Sequence, residues 1–172
     1  AYHLQALGVL TLGAAEAMRG VMGLIVVMMV VVGGRIIPMF TRNGLAAEGR
    51  TFAPRSPSWV DRAAIGAVIA LIPLELWASP ELLGLGCLIA GGLVAGRMWG
   101  WGGSKTAPVP LLWILHAGYL WIALGLILRG VSLLIPGYIP ASAALHALTA
   151  GAMGSLILGM IARVSLGHTG RP

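Results

Sequence analysis

The sequence predicts an all-α fold: a polytopic transmembrane helix bundle with five full spans and a truncated sixth at the N-terminus. Three observations predict it. Of 172 residues, 58% are hydrophobic and only 9% are charged, against roughly 25% charged in a soluble domain. With a mean hydropathy of +0.93, the chain cannot cover itself with a water-facing surface. Its apolar residues also gather into charge-poor runs of the ~20-residue length that crosses a bilayer core. Most prolines fall at or between those runs, where water replaces the backbone bonds they remove.

Taken in order, residues 4–15 ("LQALGVLTLGAA") are apolar but only about half a span long. A helix cut by the N-terminus is preferred over an interfacial segment, because the stretch lacks the basic face that surface helices use. The five full spans are predicted at 18–38, 62–78, 82–98, 109–128 and 141–162. The first holds "GVMGLIVVMMVVVGG" without a charge and ends at Pro38. The second carries Pro73, the one proline inside a run, two residues before Glu75; such a proline frees a carbonyl and bends a membrane helix. The third, "GLGCLIAGGLVAG", sets Gly92 and Gly96 four apart, with Gly86 and Ala90 in the same spacing. Small residues at that spacing predict close packing on a neighbouring helix. The whole of 1–172 reads as one membrane domain cut from a longer multipass protein.

Charge sets the orientation. The net charge of +6 would suit nucleic acid in a soluble chain, but here loop cations set topology and touch anionic lipid. Arg35, Arg42, Arg50, Arg55, Arg62, Arg97, Lys105, Arg163 and Arg171 follow the first, third and fifth spans, which is nine of the 11 Lys and Arg. Arg19 and Arg129 alone lie on the other side. The basic loops and the C-terminal end are therefore expected in the cytoplasm. The lone cysteine, Cys87, excludes an intrachain disulfide.

Catalytic motifs are absent. "GWGGSKT" (100–106) fails the Walker spacing, since Ser104 precedes Lys105. It reads instead as an interfacial loop with Trp99 and Trp101 at headgroup depth. What remains is a short set of polar groups inside apolar helices, each costly there and so a functional candidate. His116 lies roughly 10 Å inside its span at 1.5 Å per residue, with Tyr119 on nearly the same face and Trp113 and Trp121 beside it. At that depth the imidazole needs a partner: Tyr119, a carbonyl, a metal or a haem iron. His146 starts the fifth span, within about 8 Å of the outer surface, where water can satisfy it. Thr149, Met153 and Met160 follow it along one stripe. His3 and Glu75 complete the set. The fourth and fifth spans run in opposite directions, so His116 and His146 differ in depth by something like 10 to 15 Å of a ~30 Å core and should not share one iron.

Three stretches carry a family resemblance: "GGRIIPMFTRNG" (33–44), "LLWILHAGYLWIALGLIL" (111–128) and "HALTAGAMGSLILGMIARVSLGHTGRP" (146–172). Together they resemble the NnrS family of bacterial inner-membrane proteins, through most of the chain and most specifically in the closing "ARVSLGHTGRP". The resemblance implies a protein of about twelve spans of the usual ~20 residues, of which this would be a C-terminal-half piece. It also implies haem and copper as cofactors, nitric oxide or its adducts as partners alongside the lipid bilayer and the other spans, and a role in nitric oxide stress and denitrification. On that footing His116 and His146 are the expected metal ligands, His116 ahead of His146, with His3, Tyr119 and Arg163 as further cofactor contacts. Arg163, His168 and Arg171 would stand at the inner interface, where arginine matches a haem propionate in two-pronged geometry, and Gly167 would end the helix. Whether nitric oxide is turned over, sensed or kept from other metal centres stays open. A transporter or permease, suggested by Pro73 with Glu75, and a structural membrane subunit are the rival readings.

Overall fold

The structure, a computed structural model, describes the backbone of residues 13–169 and the side chains of residues 17–165. Among the described residues it is helical, with no strand: α1 (Ala14–Ala47), α2 (Ser58–Trp77), α3 (Pro80–Met98), two 3-10 turns (Trp99–Trp101 and Gly103–Thr106), α4 (Pro110–Leu134), α5 (Ala141–His146), a π-helical stretch (Ala147–Gly154) and α6 (Ser155–Thr169). Four stretches are long and apolar enough to cross a membrane: Ala17–Ala47, Pro80–Trp101, Pro110–Leu134 and the composite Ala141–Ser165. The expected five full spans are thus not all established. The exception is α2, whose 20 residues hold Asp61, Arg62 and Glu75. The N-terminal segment 4–15 lies largely outside the described residues.

Local chemistry sets the boundaries. Ser79 caps α3, its hydroxyl accepting from the Leu82 amide at 3.4 Å, and Pro80 occupies the first turn, where its missing N–H removes nothing the helix would use. Pro110 opens α4 in the same way. That helix runs past Arg129 to Leu134, six residues beyond the expected end, and stops before Pro136 and the left-handed Gly137 (φ 86°). Two other expected ends also move. Pro38 does not end α1, which carries it as an internal residue and reaches Ala47; a proline removes one helical bond, and the flanking turns hold the axis. Gly167 does not end α6, which continues to Thr169.

The central helix is α4, packed on α1, α3, α5, the π-helical stretch and α6, while α2 lies against α1 and α3. Leu115, Tyr119, Ile122, Ala123 and Leu126 of α4 meet Val26 and Val30 of α1, Ala90 and Val94 of α3, Leu148 and Ala152 of the π-helical stretch, and Ala64 and Val68 of α2 in one core. Lipid tails are as apolar as these side chains, so close approach rather than water exclusion holds such helices together. The α3–α4 crossing is built on glycines: a Cβ on Gly91 would stand 3.0 Å from the Ala123 carbonyl oxygen, and one on Gly130 2.8 Å from that of Gly84. The expected Gly92/Gly96 pair does not make this contact. A Cβ on either meets nothing within 4 Å, because one residue of helix turns the face by about 100°.

Candidate functional site

Two polar clusters lie at opposite ends of the bundle. The first is at the basic end, where the 48–57 and 99–109 connections pack on each other. The Arg55 amide donates to the Gly100 carbonyl at 2.9 Å, and the Arg50 guanidinium to the Lys105 carbonyl at 3.1 Å. Gly100 is obligatory here, since a Cβ would fall 1.7 Å from the Arg55 oxygen. The turn places Trp101 inward, 1% exposed, while Trp99 is 95% exposed. Trp101 is therefore not a lipid-facing anchor as Trp99 can be: its ring is buried in the bundle, beside Gly102, which is left-handed at φ 76°.

The Trp101 ring packs on Tyr119 at 4.8 Å and edge-on to His116 at 6.3 Å. Beside it, Arg97 is 3% exposed. Its Nε donates to Asp61 at 3.0 Å, and one terminal nitrogen donates to the Tyr119 oxygen at 2.9 Å and to the Val30 carbonyl at 3.0 Å. The Tyr119 hydroxyl donates to the same carbonyl at 3.2 Å, and Ser56 donates to Asp61 at 2.9 Å. The guanidinium lies flat on Gly34, where a Cβ would be 2.2 Å from a nitrogen. Arg97, read from sequence as a loop cation, is a buried structural group. A buried arginine needs a carboxylate and hydrogen-bond acceptors, and this one has Asp61 on Nε with Tyr119 and the Val30 carbonyl on one terminal nitrogen.

His116, 7% exposed, does not bond Tyr119. Its Nε2 is 2.9 Å from the Thr41 hydroxyl, which itself donates to the Ile37 carbonyl at 2.9 Å. A hydroxyl has one proton, so Thr41 accepts from Nε2–H and the tautomer is assigned by that count. The lone pair is then on Nδ1, against Gly103, where a Cβ would be 3.1 Å away. Trp113 and Trp121 do not wall this ring. Both are more than 40% exposed on the outside of the bundle, since residues 113 and 121 lie off the 112/115/116/119 face that α4 buries.

At the opposite end, Glu75 accepts from Arg129 at 2.6 and 2.5 Å and pairs with Arg19 at 3.3 Å. Pro73 leaves α2 continuous to Trp77, so Glu75 sits on an unbroken helix with its charge compensated. Arg19 and Arg129, the two cations counted away from the basic loops, are its partners.

His146 is exposed, and its Nδ1 is 2.6 Å from the Ser142 carbonyl. A carbonyl only accepts, so Nδ1 carries the hydrogen and the neutral ring presents its lone pair on Nε2. This is the arrangement in which a backbone oxygen orients a metal-binding imidazole. The π-helical stretch begins at the next residue and breaks the 3.6-residue phase of the expected stripe. Thr149 donates back to the Leu145 carbonyl at 2.8 Å. Met153 and Met160 instead face an apolar groove of about 440 Å³ between α1 and α6, shared with Met28 and Met29. No histidine lines it. Arg163 stacks on Phe40 at 4.2 Å. His3 and Arg171 lie outside the described residues, as does the His168 side chain.

Among the described residues no three His, Cys, Asp or Glu side chains gather to hold a metal ion. The described residues offer single ligands, and of the two described span histidines His146 has its second nitrogen on an exposed ring while His116 has its own against Gly103. Sequence reasoning missed Thr41, Asp61 and Trp101. One signal was available: the chain holds five acidic residues, Asp61 is its only aspartate, and an acid beside a span calls for an arginine at matching depth.

No curated protein and no solved structure matches the chain. The profile of one family, described as NnrS protein, does match it, over residues 1–172. The chain therefore belongs to the NnrS family.

Proposed function

We propose that the chain is part of an integral membrane protein that binds haem and copper and acts in nitric oxide metabolism or the nitric oxide stress response. Family membership across residues 1–172 carries this reading. Haem iron or copper, when bound, would supply the redox and ligand-binding chemistry toward nitric oxide. The chain's own residues hold and orient. The Ser142 carbonyl fixes the His146 ring and leaves Nε2 as a ligand, with the remaining ligands contributed by other spans of the full protein. His116, with Nε2 held by Thr41 and Nδ1 under Gly103, ranks below His146 as a ligand, the reverse of the sequence-based order. Arg97, Asp61, Tyr119 and Trp101 keep the basic end closed.

The same proposal makes residues 1–172 one membrane domain in the bacterial inner membrane, with the basic loops and the C-terminal end cytoplasmic. It makes α2 the fifth span. Its 20 residues reach about 30 Å, and its acids are neutralised by Arg97 and by Arg129 with Arg19. Cysteine accessibility tests the orientation: an impermeant reagent on intact cells should modify Gly137→Cys and leave Ala47→Cys silent, and the opposite pattern reverses it. For the function itself, the full-length protein is purified and its optical spectrum and metal content are measured. A haem band with copper is expected; neither one present ends the reading.

A further inference from the structure

The groove between α1 and α6 has no role in the site above. Its walls are Ile25, Met28, Met29, Val32, Gly33, Ile36 and Ile37 of α1, Leu115 of α4, Met153 of the π-helical stretch, and Leu156, Ile157, Met160 and Ile161 of α6. No polar side chain is among them. From residue 25 to residue 37 it follows α1 for about 18 Å at 1.5 Å per residue, so it is long and narrow. It opens sideways, with Met28, Val32, Ile157 and Ile161 each between 46% and 66% exposed. The exposed walls face the surroundings of the bundle rather than its core, and the methionines give them a surface that adapts to an irregular guest.

The end of the groove nearer the basic loops carries a charge. One turn beyond Ile36 stands Phe40, and two residues beyond Ile161 stands Arg163, whose guanidinium lies 4.2 Å over the Phe40 ring. Among the described residues no carboxylate pairs with Arg163; the three ion pairs belong to Arg19, Arg97 and Arg129. A guanidinium held by an aromatic face keeps its N–H donors for an acceptor in front of it. An apolar cleft ending in an arginine that no described carboxylate pairs with suits a lipid: a hydrocarbon chain, then a phosphate.

We propose that this groove binds an anionic phospholipid from the leaflet at the basic end, with one acyl chain along Met28, Val32, Met153 and Ile157 and the headgroup phosphate on Arg163. The absence of any imidazole from the walls separates the groove from the ligand site at His146, so the two assignments fail independently. Charge complementarity selects the occupant, since a zwitterionic or neutral lipid leaves Arg163 with a weaker partner.

The test uses the full-length protein in nanodiscs of phosphatidylethanolamine with either phosphatidylglycerol or phosphatidylcholine. A phosphatidylglycerol carrying a photoreactive acyl chain is crosslinked and its attachment sites are read by peptide mass spectrometry. Labels should concentrate on the groove walls of α1 and α6. Phosphatidylglycerol should also survive detergent exchange several-fold better than phosphatidylcholine. Arg163→Gln should remove that preference and Arg163→Lys should keep most of it, while Ile157→Trp should exclude the acyl label from a protein that still inserts. Labels spread evenly over all exposed apolar faces, or equal retention of both lipids by the native protein, overturn the proposal. So does loss of bound haem in Arg163→Gln with phospholipid retention unchanged, which assigns the groove to the cofactor instead.

Discussion

The two ends of the bundle handle charged and polar groups in opposite ways. At the basic end Arg97 is enclosed, with Asp61, Tyr119 and the Val30 carbonyl accepting from Nε and one terminal nitrogen, and His116 gives its Nε2 to Thr41. At the other end Glu75 lies between Arg129 and Arg19 in a setting open enough to leave Arg19 half exposed, and His146 keeps Nε2 unengaged at the surface. The comparison separates two meanings of a polar residue in a membrane helix. A buried ring can be held at one nitrogen and covered at the other, as His116 is by Thr41 and Gly103, and that cover removes it from ligand duty. A group near the interface can be held by one atom and still offer another.

If that distinction holds, the largest effect falls on the enclosed arginine. Arg97→Leu removes the donor to the Tyr119 oxygen and leaves Asp61 with Ser56 alone, and breaking a buried pair costs about 3–5 kcal/mol. Unfolding of the full-length protein in mixed micelles by added dodecyl sulfate should register it. A loss under about 1 kcal/mol, the size expected of an exposed pair, would put Arg97 in the class of the outer cations. Next comes the glycine contrast on α3. Gly91→Ala meets Ile127 and the Ala123 carbonyl and should lose about 1–3 kcal/mol to overpacking. Gly92→Ala, with open space around it, should gain up to about 1 kcal/mol from the helix preference of alanine. Equal effects of the two would mean that the α3–α4 crossing is misplaced.

Thr41→Val sharpens the histidine half of the comparison. It leaves the His116 Nε2–H unsatisfied in a buried site and should destabilise by about 1–3 kcal/mol without changing cofactor content. The smallest effect belongs to the open cluster: Arg19→Gln removes the longer, half-exposed partner of Glu75 and should change stability by less than about 1 kcal/mol. Added salt should shrink that difference further. A large, salt-insensitive loss would make the two ends alike.

Much of this fold was legible because apolar run length and proline placement dictate it. The starts at Pro80 and Pro110, expected at 82 and 109, follow from residues that can open a helix and cannot continue one. The errors share a cause as well. Pro38 and Gly167 were read as stops, yet each only weakens a helix, and the flanking turns carried it through. The Gly92/Gly96 pair matched a spacing rule, but which face of α3 meets α4 is decided by packing, and Gly91 with Gly84 won. In the site, His116 was legible as a residue in need of a partner. That the partner is Thr41, 75 positions earlier in the chain, depends on how α1 and α4 meet, which no local pattern carries. Trp101 was hidden for a similar reason: a loop tryptophan reads as a lipid-facing anchor until its packing on Tyr119 and His116 is seen. The π-helical stretch leaves only a run of small residues in the sequence, and with it went the phase of the His146 stripe.

The central claim is that the open imidazole, not the buried one, serves the metal centre. Its most direct measurement is haem and copper content per protein in His146→Ala and His116→Ala, each purified full length beside the unmutated protein, with thermal stability recorded on the same samples. The account predicts that His146→Ala loses most of its cofactor and melts as the native protein does, while His116→Ala keeps its cofactor and melts lower. Loss of cofactor in His116→Ala with His146→Ala fully loaded would contradict it.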